Sequence, residues 1–293
     1  MKIKHLTFAL LILAALGFGS FFTIFSIPEK PQIISTPTVA SASTSSNSKQ
    51  WQSDWYCHQT EQTPPAIDDN GKLNILVWNI HKQGDEGWQQ ELDKLSRHTQ
   101  LIMLQEASLT DELKAWVSQQ SWGASYVNAF KAFDVSAGVV NLAAQMPNRA
   151  CAYTAVEPWI LLPKSALYAR YSLSNGQDLV VVNLHSINFT LGTEDFEQQI
   201  IELENAVKKH QGPMIIAGDF NTWRDARLEL VQSKMAELQM QEVSFQPDNR
   251  RRFINALAFD HVFYRGLKLQ QASSPETSAS DHSPMLVDFE LEN

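Results

Sequence analysis

The sequence predicts an α/β (α+β) domain over residues 71–293. A Ser/Thr/Pro-rich tether (28–70) joins it to one N-terminal transmembrane helix within residues 1–27. Two patterns carry this prediction. Beyond Gly71, short apolar runs of strand character alternate with segments whose apolar residues recur at helical spacing. At the other end, residues 6–27 hold no charged side chain and are rich in Leu, Ile, Phe and Ala.

A bilayer core of roughly 30 Å takes about 20 such residues as a helix. A cleaved secretory signal has a shorter apolar region, roughly 7–15 residues, with a small-residue cleavage site close behind it. The "ASA" triplet at 40–42 lies well beyond Ile27, so an uncleaved anchor is preferred and a removed signal is the alternative. Lys2 and Lys4 hold the N-terminus in the cytoplasm. The rest of the chain then lies on the periplasmic side of the inner membrane, or is secreted after cleavage. Cys57 and Cys151 suit an oxidising compartment as a disulfide; two separate thiols are the alternative. Without CxxC spacing, thiolate-rich zinc sites are excluded.

The stretch "STPTVASASTSSNSK" (35–49) is poor in large apolar residues and reads as tether, whereas Trp51, Trp55 and Tyr56 mark a part that packs on the domain. Strand character follows at 73–79, then a helix over 85–98 with Trp88, Leu92 and Leu95 on one side. A strand at 101–105 precedes a capped helix at 110–117. Residues 121–162 read as less regular. Strands are expected at 166–172 and 178–184, a helix at 193–209, a strand at 214–217 and a helix at 224–238. Strands at 259–264 and 284–289 close the domain, and no fixed-period repeat is visible.

Charge narrows the partners. The chain has 23 Lys and Arg against 32 Asp and Glu, a net charge of −9. That is a poor footprint for sequence-independent binding to duplex DNA, which relies on basic side chains neutralising phosphates. A nuclease with a locally basic groove stays open.

Metal-competent polar residues recur where apolar runs end. Asn79, Glu106 and His185 each end one; Asp219 and Asn221 follow "PMIIA" (213–217); Asp260 begins a strand, and Asp281–His282 precede the last. Strand ends converge on one edge of a sheet, where ligands bind in open α/β folds. Each residue alone has an ordinary reading as a turn or cap. Together they supply the hard oxygens that magnesium prefers and imidazoles suited to proton transfer near neutrality. His261 points away from Asp260 on a period-two strand and is left out of this set.

The segments "LVWNIHKQ" (76–83), "LIMLQEA" (101–107), "VVNLHSIN" (181–188), "IIAGDFNTW" (215–223), "FDHVFY" (259–264) and "SDHSPMLVDF" (280–289) resemble, in order, the motifs of the endonuclease/exonuclease/phosphatase superfamily. Within it they are similar to the bacterial YafD-like group. The resemblance covers residues 71–293 and implies a DNase I-like four-layered sandwich, two central mixed β-sheets flanked by helices. It implies a metal-dependent phosphoester hydrolase using Mg2+, with Mn2+ as alternative. The chain is expected to be a monomer, tethered to the cytoplasmic membrane by its uncharged run at residues 6–27.

By that resemblance Glu106 is a metal ligand, with Asn79 and Asp281 near the ion or the phosphate. Asp219 and Asn221 align or activate the attacking water, His282 is the catalytic histidine and Asp260 orients it. His185 contacts the phosphate or protonates the leaving oxygen. Arg251, in "NRRR" (249–252), is a phosphate clamp or part of a solvated loop. One departure stands out: many DNA-cleaving members have an acidic residue at the position of His81, which is here a turn residue or a third imidazole. The substrate class is nucleic acid, giving an endonuclease-like phosphodiesterase. The alternatives are a phospholipid head-group phosphodiesterase (sphingomyelinase-like), a phosphatase, or an inactive membrane-tethered binding domain.

Overall fold

The computed structural model describes residues 21, 23–36, 48–52, 55–60, 63–190, 192–254 and 256–292. One sheet contains β1 (Phe25–Ser26), β2 (Gln32–Thr36), β5 (Lys72–Asn79), β6 (Leu101–Ser108), β7 (Gly123–Ala132), β8 (Val135–Ala143), β15 (Leu267–Ser273) and β16 (Met285–Leu291). The other contains β3 (Ser48–Gln52), β4 (Trp55–Gln59), β9 (Arg149–Val156), β10 (Pro163–Ser172), β11 (Asp178–His185), β12 (Met214–Asp219), β13 (Gln241–Glu242) and β14 (Asp260–Arg265). Helices α1 (Trp88–Ser96), α2 (Asp111–Gln119), α3 (Glu194–Val207) and α4 (Asp225–Glu237) cover the outer faces.

The apolar runs are continuous because both faces of the central strands are buried. On β5, Leu73, Ile75 and Val77 join Val181 of β11 with Ile215 and Ala217 of β12 in the core between the sheets. The alternate residues Leu76 and Trp78 pack outward with Leu92 of α1 and Leu113 and Trp116 of α2. On the far side, Val180, Val182 and Ile216 meet Phe196, Ile200 and Leu203 of α3 and Val231 of α4. The result is helix, sheet, sheet, helix: two mixed sheets flanked by helices. Each fully buried aliphatic side chain stabilises this by about 1.5–3 kcal/mol. Thr110 caps α2 by accepting from the Leu113 amide at 3.3 Å. A buried polar bridge crosses between the sheets: Gln105 donates to Asn183 at 2.7 Å, and Asn183 donates to the Leu104 and Val140 carbonyls at 3.1 and 3.0 Å.

Two expectations differ from the structure. Residues 121–162, read as less regular, form the three long strands β7, β8 and β9. Their Ala, Gly, Ser and Asn content blurs the strand signal, and buried Ser125, Asn128 and Asn141 break the apolar run. The stretch 28–70, read as a tether, supplies β2, β3 and β4 in its described parts. Ile33 packs there with Val127 and Val139. As expected, the part around Trp55 packs on the domain, its ring stacking on Tyr153 at 5.1 Å, and the disulfide reading holds: Cys57 is joined to Cys151, opposite each other on β4 and β9. The expected anchor falls mostly outside the described residues, among which no helix is long and apolar enough to cross a membrane. Its described end, Phe25–Ser26, pairs with β7.

Candidate active site

Two parallel pairs set the site. In β5–β6, Asn79 lies opposite Gln105, so Asn79 and Glu106 arrive together at the carboxyl ends. In β11–β12, His185 lies opposite Asp219. Antiparallel β14 starts with Asp260 opposite Asp219, and β16 starts with Met285 opposite Val77, which brings residues 280–284 to the same edge. That edge is where open α/β sheets bind ligands.

Local backbone aims the side chains. Glu106 sits at φ 49 in a register irregularity between Leu104 and Ala107, the kind of bulge that redirects a side chain beside a site. Asn221 has φ 50, and Gly218 before it has φ +136. A Cβ on Gly218 would stand 2.0 Å from the Leu184 carbonyl oxygen, so "GDFN" needs its glycine for close passage against β11. His81, Lys82 and Gln83 form a left-handed turn tied to β6 through Gln83, whose amide donates to the Ser108 carbonyl at 3.1 Å. This turn carries Lys82 onto Glu106.

Seven predicted residues come together. Asn79 Nδ2 donates to Asp219 Oδ2 at 3.0 Å, and the other Asp219 oxygen accepts from the Asn221 amide at 2.9 Å. His282 Nδ1 hydrogen-bonds Asp260 Oδ2 at 2.7 Å while its Nε2 faces Asp219 Oδ2 at 3.9 Å. His185 Nε2 is 3.6 Å from both Glu106 Oε1 and Asp219 Oδ2. Asn221 Nδ2 donates to the Ser186 carbonyl at 3.0 Å, fixing the turn after β12. All but Glu106, which is partly buried, are buried.

The two histidines are set apart electrostatically. Burial and the Lys164 ammonium, 2.9 Å from its Nε2, push His185 down to about 4 against the pull of Asp219 and Glu106. A lysine ammonium only donates, so Nε2 accepts and the ring proton sits on Nδ1. Burial also opposes charge on His282, but Asp260, then Asp219 and Asp281, outweigh it and raise His282 to about 9. Burial would raise Glu106; the positive charges of His185, Lys164 and Lys82 override it and hold the carboxyl well below the usual range.

Asp281 and Arg251 are not in this cluster. Asp281 is bound by Arg251 and lies 3.8 Å from His81, half-exposed on the rim. His81 itself pairs with Asp85 at 2.7 Å, as a turn residue does. His261 is buried between Glu242 and Thr222, facing away from Asp260's partner. Sequence reasoning missed Lys82 and Lys164. Lys82 lies inside the first motif and could have been noticed; Lys164 is one lysine at a strand start and gives no signal. It also missed Arg227, which is buried and donates to the Ile187, Asn188 and Asn221 carbonyls, bracing the loops after β11 and β12.

The donor set fits a small divalent cation. The Glu106 carboxylate, the Asn79 amide oxygen, which accepts from the His81 amide at 3.1 Å, and the Asp219 carboxylate are hard-oxygen groups gathered round His185, whose Nε2 is 3.6 Å from both carboxylates. One atom each of Asp219, Asp260 and His282 also lie within 4.8 Å of one another. That trio serves protons better than an ion, because His282 Nδ1 is committed to Asp260. Asp260 Oδ1 is buried without a hydrogen-bond partner.

These features define a four-layered domain with an acid–imidazole site at one end of both sheets. The chain belongs to the Endonuclease/Exonuclease/phosphatase family, whose model matches residues 76–282. It is 50% identical over 288 residues to a UPF0294 protein of Vibrio campbellii, covering 98% of each chain. An endonuclease/exonuclease/phosphatase family protein from Leptotrichia buccalis superposes with a TM-score of 0.59 at 17% identity, over 75% of this chain and 100% of that one. D. rerio TDP2, complexed with single-strand DNA product, superposes with a TM-score of 0.55 at 15% identity, over 75% of this chain and 99% of that one.

Proposed function

We propose that the protein is a divalent-metal-dependent phosphodiesterase that cleaves a P–O ester bond with water. The carrying observation is the approach of Asp219 to the Asp260–His282 pair, beside Glu106 and Asn79. Glu106 and Asn79 would hold magnesium or manganese, which when bound neutralises charge on the phosphoryl oxygens. Asp219, fixed by Asn79 and the Asn221 amide, orients the attacking water and accepts its proton. His282 is protonated at neutral pH and donates from Nε2 to the oxygen that gains charge; Asp260 keeps that charge in place. His185 is neutral at pH 7, so it orients the phosphate with Lys164 instead of supplying the proton. The single-strand DNA product on TDP2 supports a phosphoester as the substrate class.

The uncharged run at 6–27 and the Cys57–Cys151 pair support a domain tethered to the periplasmic face of the inner membrane. A C-terminal alkaline phosphatase fusion checks this: enzyme activity at Asn293 agrees, silence contradicts.

The activity test uses the full chain in detergent with magnesium and bis(p-nitrophenyl) phosphate, beside Asp219→Ala and His282→Ala. Turnover lost in both variants and abolished by a chelator is expected. Turnover unchanged in both would defeat the reading.

A further inference from the structure

The apolar surface of the protein is unevenly placed. Loop 157–162 exposes Trp159 (61%), Ile160 and Leu161, and neighbouring turns expose Phe189, Phe253 and Ile254 (93%). These loops form one belt. Glu157 accepts from the Asn188 and Phe189 amides, Trp223 Nε1 donates to Asn188 Oδ1 at 2.7 Å, and Phe253 packs on Trp223 at 5.8 Å between ring centroids. Both ends of the belt reach the site. Lys164, just past loop 157–162, touches His185; Phe253 contacts Phe259, whose ring is 6.0 Å from His282. Six large apolar side chains gathered round a catalytic mouth are not the scattered exposure of an ordinary surface.

A second observation concerns where the chain enters. The uncharged N-terminal run leads into β1, whose Phe25 lies opposite Ala132 at the end of β7. The β7–β8 turn there, with Phe133 exposed, projects from the same end of the sheets as Glu106, since Ser108 of β6 pairs with Ala137 of β8. The described end of the apolar run at Phe25, the Phe133 turn and the belt therefore share the catalytic end.

We propose that this end docks on a phospholipid bilayer, so that the phosphodiester hydrolysed is that of a lipid head group. This rests on the phosphodiesterase reading above. Water adds across the P–O ester bond: its oxygen bonds to phosphorus, the ester bond breaks, and a proton goes to the departing alcohol oxygen. Single-stranded nucleic acid is the competing occupant, since aromatic rings stack on bases. The belt argues otherwise. Half of it is aliphatic, which inserts among acyl chains and cannot stack. The three arginines of the 250–252 run are already paired with carboxylates, Arg251 with Asp281 and Arg250 and Arg252 with Asp248, Arg224 lies over the Trp223 ring at 4.3 Å, and the net charge is −9.

The test uses the full chain with phosphatidylcholine vesicles, which residues 6–27 bring to the membrane in every variant. An environment-sensitive fluorophore is placed on Ile254→Cys, or on Asn175→Cys in the β10–β11 turn at the opposite end. Emission from position 254 is expected to rise and shift blue on vesicles, while position 175 stays as in water. An equal, water-like response at both positions on vesicle-bound protein overturns the proposal. In parallel, Trp159→Ser/Ile254→Ser is expected to keep its turnover of bis(p-nitrophenyl) phosphate and lose about tenfold or more on vesicle phosphatidylcholine. If the double variant instead loses turnover of a single-stranded oligonucleotide and keeps that of vesicles, the belt is a stacking platform and the proposal fails. No turnover of bis(p-nitrophenyl) phosphate by the unaltered chain would reject the phosphodiesterase reading separately, whatever the fluorophores report.

Discussion

His282 holds Asp260 through Nδ1 at 2.7 Å and turns Nε2 toward Asp219, 3.9 Å away, so one imidazole links two buried carboxylates. Because the folded-state value is raised to about 9, the pair's stabilisation is complete below the ordinary histidine value and is lost as pH rises through about 9. With His282 as proton donor, kcat/KM should fall above about pH 9. In Asp260→Asn the fall should move toward the ordinary value near about 6.5, and the rate at pH 7 should drop by about 10²–10⁴-fold. A pH–rate profile with imidazole NMR of His282 checks both; an unmoved alkaline limb contradicts the assignment.

Lys82 reaches Glu106 from the turn after β5, so its ammonium stands where a cation would meet that carboxylate. Glu106→Gln should weaken magnesium or manganese binding by about 10–100-fold or more, because it removes the carboxylate charge on that side of the cluster. Lys82→Met should strengthen it, since a competing positive charge is gone. Titration calorimetry on the full chain reads both without relying on turnover. Tighter binding in Glu106→Gln would move the ion elsewhere.

The sequence carried the site further than the sheets. Asn79, Glu106, His185 and Asp219 stand at the ends of largely apolar runs, and strand ends of one pleated core must meet at an edge, so their convergence was legible. Asp281 was legible as part of a motif, but its engagement by Arg251 depends on how loop 249–259 returns to the rim. Lys164 reaches His185 only because β10 runs antiparallel beside β11, a pairing that no local pattern announces. The strands β7 to β9 were obscured for a related reason: Asn141 and Ser125 look like loop residues, yet lie buried opposite each other, and Asn141 also accepts from Asn183 at 3.0 Å.

The Cys57–Cys151 bridge closes a sequence separation of 94 residues between adjacent strands β4 and β9. Restricting a loop of that size in the unfolded chain stabilises the fold by about 4.7 kcal/mol in the chain-entropy model. Cys57→Ser/Cys151→Ser should therefore melt about 10 °C lower. The bridge lies away from the catalytic cluster, so turnover per folded molecule at 25 °C should stay within about twofold. Differential scanning calorimetry beside the soluble-substrate assay separates the two effects. An unchanged melting temperature would mean that the unfolded chain gains nothing from being cut loose.

Gly218 joins stability to chemistry most directly. Its φ of +136, and the 2.0 Å that would separate a Cβ at this position from the Leu184 carbonyl oxygen, leave no room for a side chain. Gly218→Ala adds a single methyl group, yet it must either strain φ or push β12 from β11 where His185 pairs with Asp219. Where the native φ is positive, such a change destabilises by more than about 1 kcal/mol. The displaced strand would also shift Asp219 against His282, and misplacement of about 1 Å can cost 10²-fold in rate. The variant should therefore lose turnover out of proportion to its melting shift. A fall in melting temperature with full turnover in the remaining folded protein would show that β12 absorbs the methyl without moving Asp219.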